Sequence, residues 1–229
     1  MRRTIAGILA LGTAMLVTSS AFAQDMGAEG TGALSADRLF GITGYKVSRE
    51  ADLPGSVEIE DTGTLFTLAW GLNLDGVDNV PVPGTIPRLS FDYFVIDDLS
   101  LGGSLGFATY RGERDGEPRD WDHDDVTAFA FAPRIGYMFH LGDSAGFWLR
   151  GGLTYFDYEV ENRVDGSILQ LNAEGIFAIR IVDNFAFTVG PAIDIPITGS
   201  YEHQPGPGPY DVDTSVLSFG AYCGLMGWF

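Results

Sequence analysis

Seven ionisable residues stand out for the company they keep. Arg88, Asp92, Arg134, Arg150, Glu174, Arg180 and Asp194 each sit in a stretch where apolar residues alternate with small or polar ones, and each falls on the non-apolar face. Charges gathered on one face and turned inward must pair or hold water, because an isolated buried charge is strongly disfavoured. Two chemistries fit: a paired network that plugs an interior and fixes its register, or a narrow passage lined with charge. The plug is the expectation, since an interior ringed by about eight strands is nearly filled by its own side chains.

A second concentration of charge lies between Gly112 and Asp125. Asp120, Asp122 and Asp124 alternate there and can present oxygens for a weak hold on Ca²⁺ or Mg²⁺. The spacing departs from an EF-hand, because Asp125 stands where glycine is needed and Phe131 where the closing glutamate belongs. A solvated acidic loop is the expectation, with no firm metal site.

Other chemistries lack their residues. The three histidines, His123, His140 and His203, form no spaced triad with a serine or with aspartates. Cys223 is the only cysteine, so it forms no internal disulfide and reads as a small apolar residue. No Cys/His cluster supports zinc and no glycine-rich strand-to-helix motif supports a nucleotide, so no cofactor and no enzymatic activity are expected.

The elements that position these residues are strands. From Arg38 onward the chain alternates at period two between turn signals, giving nine candidate segments: about 37–48, 61–72, 86–96, 99–111, 125–140, 145–160, 167–181, 184–199 and 214–229. Asp97-Asp98, Gly142-Asp143-Ser144 and Asp183-Asn184 read as tight turns, and 112–125, 160–166 and 199–213 as longer polar loops. The final segment is the clearest. Phe229, Leu225, Cys223, Ala221, Phe219 and Leu217 share one face, while Trp228, Met226, Tyr222, Gly220 and Ser218 share the other. The polar face carries glycine, serine and isolated charges rather than long solubilising lysines; Lys46 is the single lysine. Together with the alternation of short and long connections, this favours a closed transmembrane barrel over a soluble sandwich. The last eight segments make an even-stranded circuit, with 37–48 as an extra strand, a cap or part of an irregular hairpin. Ten strands, with one hidden near Gly71–Ile86, is the alternative.

The N-terminus reads as a secretory signal: Arg2 and Arg3, an apolar run to Val17, then Ala21-Phe22-Ala23, which places cleavage before Gln24. Cleavage removes 23 of the 229 residues and two of the 13 basic ones, leaving 11 basic against 31 acidic and a formal charge of −20. Nucleic acid is therefore excluded as a partner. Residues 24–36, rich in glycine and alanine, read as a flexible lead-in to a barrel over 37–229.

The alternating C-terminal strand ending in Trp228-Phe229 resembles the terminal signature of outer-membrane barrels, in which the barrel-assembly machinery reads a final aromatic residue. The chain resembles the small barrels of the OmpA transmembrane domain, OmpX and OmpW type over about residues 37–229. That resemblance implies a Gram-negative outer-membrane location, with lipid and lipopolysaccharide as surroundings. The expected role is structural or surface-interacting, through acidic outer loops and an unidentified extracellular ligand. The alternative is a narrow channel for small solutes or cations.

Overall fold

Alternation becomes strand along nearly the whole chain. The structure is a computed structural model and describes residues 25–51, 58–68, 82–110, 126–160, 164–203 and 210–229. Within them run β1 (Gly32–Ala51), β2 (Ile59–Leu68), β3 (Arg88–Ile96), β4 (Leu99–Tyr110), β5 (Val126–His140), β6 (Ala145–Val160), β7 (Val164–Val182), β8 (Phe185–His203) and β9 (Tyr210–Trp228). Every pairing is antiparallel, and β9 returns to β1, so the sheet closes into a ring. The three tight turns fall at one end, here the turn end. Asp98 and Asn184 take φ of 69° and 62° in those turns, a region Asp and Asn tolerate by bonding nearby backbone. No helix among the described residues is long and apolar enough to cross a membrane.

Nine strands fill eight positions, but the extra strand is not the one expected. β1 is a full member of the ring, paired with β9 from Ala33↔Trp228 to Ala51↔Val212. Its other edge is shared: β3 pairs with Gly32–Asp37 and β2 with Phe40–Arg49. β2 and β3 therefore occupy successive halves of one wall position. Beyond Arg88↔Gly106, β4 has no backbone partner on that edge among the described residues. Behind this seam, Val82–Ile86 lie buried inside the barrel, with a short 3-10 turn at Pro83–Thr85. Of the alternative tenth strand, 71–81 lie outside the described residues. Residues 82–86 form no strand, because Pro83 and Pro87 cannot donate to a ladder.

The faces sort as the alternation implies. Leu89, Phe91, Leu101, Phe107, Phe131, Ile135, Ile179 and Phe219 all point outward and are about half exposed or more, Phe107 reaching 66%. A continuous belt of this kind is far larger than the apolar patches a soluble monomer carries and suits a hydrocarbon surrounding. Inward, two apolar tiers form. At the turn end Met26, Phe94, Met138, Trp148, Met226 and Trp228 pack together; at the other, loop end, Ile86, Val126, Phe156, Tyr158, Ile168 and Val216 do so. Trp148, Tyr158 and Trp228 thus face the lumen, whereas Phe139 and Tyr155 are exposed.

Two boundaries differ from expectation. The reading of 24–36 as a flexible lead-in does not hold for 25–36: Gly30 N–H donates to the Phe94 carbonyl and Asp98 N–H to the Gly27 carbonyl, and Met26 is buried in the turn-end tier. Glycine here supplies turns, at Gly27 (φ 98°) and Gly30 (φ 83°), rather than slack. At the loop end β7, β8 and β9 run several residues past the expected limits, into 160–166 and 199–213. Alternation continues there with carboxylates outward (Asp165, Glu202, Asp211, Asp213) and apolar residues inward (Val164, Tyr201, Val212), a polar-out pattern that reads as loop when apolar-out marks a strand.

Candidate functional site

Between the two apolar tiers lies a layer of charge. Its centre comes from a place where β1 departs from alternation. Ala36 pairs with Leu225 and Phe40 with Cys223, so β1 advances four residues while β9 advances two. This bulge, with Arg38 at φ 56°, turns two consecutive side chains inward: Asp37 is 4% and Arg38 2% exposed. Neither belongs to the inward set expected from sequence, because strict period two sends neighbours to opposite faces.

Asp37 and Arg38 complete an alternating circuit. The Arg134 guanidinium donates to Asp92 (Nε–Oδ1 3.0 Å) and to Asp37 (2.9 Å). Arg150 meets Asp37 at 3.3 Å and Glu174 at 2.7 Å. Arg38 spans Glu174 (3.0 Å) and Asp194 (2.8 Å). Neutral donors fill the remaining carboxylate sites: Ser90 on Asp37 at 2.7 Å, Asn172 on Asp194 at 2.7 Å and Ser218 on Asp194 at 3.1 Å. Two rings flank it, Arg38 lying 4.9 Å from the Tyr222 centroid and Arg150 4.9 Å from that of Trp148.

Arg88 stands at the upper margin. It donates to Thr154 (3.3 Å) and, more loosely, to the Pro83 carbonyl (3.5 Å), joining the layer to the inserted turn. With Arg88 the layer holds four guanidinium groups and four carboxylates, and every one of these residues is at most 7% exposed. A cavity of about 10 Å³ beside Asp37, Glu174 and Tyr222 has room for no more than a single water.

Arg180 does not join. It lies on the inward face near the turn end, with its guanidinium 5.5 Å from the Trp228 centroid. Arg180→Gln is expected to cost about 1 kcal/mol or less, the scale of a partly exposed cation–π contact, read as a small shift in the urea midpoint of the folded barrel. Trp228 packs inward at 2% exposure while Phe229 stands 49% exposed on the outer face. Asp120, Asp122 and Asp124 lie outside the described residues. Among the described residues no group of three or more His, Cys, Asp or Glu is placed to hold a metal ion. His140 sits beside a tight turn, 2.8 Å from Asp98, away from the charged layer.

No protein-family model matches the chain, and no curated protein matches its sequence. Solved structures do match. The outer membrane protein OprG from Pseudomonas aeruginosa is 12% identical, with 90% of this chain and 99% of OprG covered and a TM-score of 0.51. The outer membrane protein AlkL, solved in lipid bilayers, is 12% identical, with 93% of this chain and 97% of AlkL covered and a TM-score of 0.52. At such identities the likeness is one of fold. This chain has the fold of the small outer-membrane β-barrels.

Proposed function

We propose that the chain is an exported outer-membrane barrel whose lumen is sealed, and that its work is structural or surface-interacting, carried by the loop end facing outward. The turn end, where Asp25 and Phe229 lie, then faces the periplasm. The observation that carries this reading is the balance of the charged layer: four cations and four anions, all buried, with Arg38, Arg134 and Arg150 bonded directly to the carboxylates, between two apolar tiers. An ion crossing would have to displace bonds that are strong because water is excluded, and then traverse packed apolar side chains on either side. Val82–Ile86, packed behind the seam between β2 and β4, support the same reading.

The alternative role, a narrow channel for solutes or cations, needs a wet path. Refolded chain in a planar bilayer, its folding verified by a heat-dependent gel shift, is expected to be electrically silent. Discrete conductance steps that change on Arg134→Ala would overturn the sealed-barrel reading and establish the channel.

A further inference from the structure

Ahead of β1, residues 25–31 cross the turn-end mouth as a strap. Its backbone bonds to the wall, among the described residues, all go to the β3–β4 hairpin. Where the strap leaves β1, Gly30 N–H donates to the Phe94 carbonyl and Phe94 N–H to the Thr31 carbonyl, both at 2.9 Å. Farther out, Asp98 N–H donates to the Gly27 carbonyl at 2.8 Å and Glu29 N–H to Asp97 Oδ1 at 2.9 Å. One side chain reaches deeper: Met26, 4% exposed, joins the turn-end tier. It lies over Gly146 of β6, where an added Cβ would come within 2.9 Å of the Met26 methyl carbon.

The turn that receives the strap is held independently of it. The Asp98 carbonyl accepts the Met138 N–H at 2.8 Å, and the Asp98 carboxylate meets His140 at 2.8 Å. The wall therefore keeps its own bonds when the strap is absent. On its far side the strap borders no wall but a cavity of about 610 Å³, with Asp25, Gly27 and Ala28 on one bank and His140, Asp143 and Arg180 on the other. Gly30, at φ 83°, stands between the two sets of bonds. Glycine crosses between left- and right-handed backbone at little cost, and an element-terminal residue that absorbs such a change acts as a hinge.

Local opening is governed by the backbone bonds and buried apolar contacts it gives up. Beyond Gly30 the strap gives up two hydrogen bonds to the wall and one buried side chain. From Gly32 onward, by contrast, β1 is laddered to β3 on one edge and, from Ala33, to β9 on the other. We propose that residues 25–29 form a lid that swings off the turn-end mouth about Gly30 while the barrel stays folded. Opening withdraws Met26 from the tier and uncovers Met138 and Trp148, both 0% exposed with the lid shut. The lid goes beyond the sealed-lumen reading and does not rest on it. The charged layer lies between the tiers and keeps its bonds whichever way the lid stands, so a conducting barrel would leave the lid in place.

The test is amide hydrogen exchange of the refolded full chain in detergent micelles. The Glu29 and Asp98 amides, whose bonds the lid breaks on opening, are expected to be at least about a hundredfold less protected than those of Phe94 and Met138, which hold the hinge and the turn. A second measurement places a thiol at each of two tier methionines in a Cys223→Ser background. Met26→Cys on the lid and Met226→Cys on the wall replace residues 4% and 1% exposed. A charged maleimide should label the first at least about tenfold faster than the second, with the heat-dependent gel shift unchanged. The lid is overturned if Glu29 and Asp98 are protected as well as Phe94 and Met138, or if the two thiols react alike. If a variant loses the gel shift, exchange in the native chain decides.

Discussion

Glu174→Ala is expected to destabilise the refolded barrel by about 3–5 kcal/mol, the range for removing one partner of a buried ion pair. Glu174 is the hinge of the circuit, holding Arg150 through one oxygen at 2.7 Å and Arg38 through the other at 3.0 Å, with Arg134 3.6 Å away. Alanine leaves two guanidinium groups short of a counter-charge in a layer that admits almost no water. The layer would then carry four cations against three anions. The measurement is a urea titration in lipid vesicles, following the loss of Trp148 and Trp228 fluorescence. A change below about 1 kcal/mol, the scale of an exposed pair, would mean that the layer is wet. The paired variant Arg150→Ala with Glu174→Ala restores neutrality. It is expected to cost clearly less than the sum of the two single changes, since contacting residues of one network couple by about 0.5–3 kcal/mol.

That circuit was only partly legible in the sequence, and the reasons are physical. Asp92, Arg134, Arg150, Glu174 and Asp194 obey period two, and their backbones place them where alternation says. Which arginine meets which carboxylate depends on the stagger of strands far apart in sequence, as with Arg38 and Asp194, and local pattern does not contain it. Asp37 and Arg38 are hidden for another reason. Their inward turn is created by a bulge, and a bulge is legible only once β9 is known to lie alongside. The inward set read from sequence is cationic by one because it counts Arg180; Asp37 and Arg38 add one charge of each sign, and the layer balances because Arg180 lies outside it.

The fold follows the same division. The apolar-outward face was readable because lipid and lumen demand opposite residues on alternate positions. β2 and β3 each alternate, yet nothing in either says that they share one wall position; this is set by β1 pairing with both. At the loop end, the outward demand changes from apolar to charged as the strands leave the belt. Asp165 and Glu202 then resemble loop residues although their strands continue.

Gly190→Ala is expected to be the most damaging single methyl added to the barrel wall. A Cβ at Gly190 would overlap the Gly175 carbonyl oxygen and come within 3.0 Å of the Ile176 Cα, atoms of the neighbouring strand's backbone. Side chains can rotate away from an intruding methyl; a ladder strand can do so only by moving. Overpacking in a tight interior costs about 1–3 kcal/mol where neighbours yield, so the cost here belongs at or above the top of that range. Gly151 is the control. Its added Cβ would meet only the Asn172 carbonyl, at 3.5 Å, an ordinary contact. Gly151→Ala is therefore expected within about 0.5 kcal/mol of the native chain, as for substitutions that disturb nothing buried. Both are read from urea midpoints and from the fraction of chain reaching the heat-shifted gel form. Equal behaviour of the two variants would mean that β7 and β8 do not approach as closely at Gly190 as the structure places them. The pairing of Phe177 with Val189 and of Glu174 with Ala192, which brackets Gly190, would then need to shift, and with it the height at which Glu174 meets its arginines.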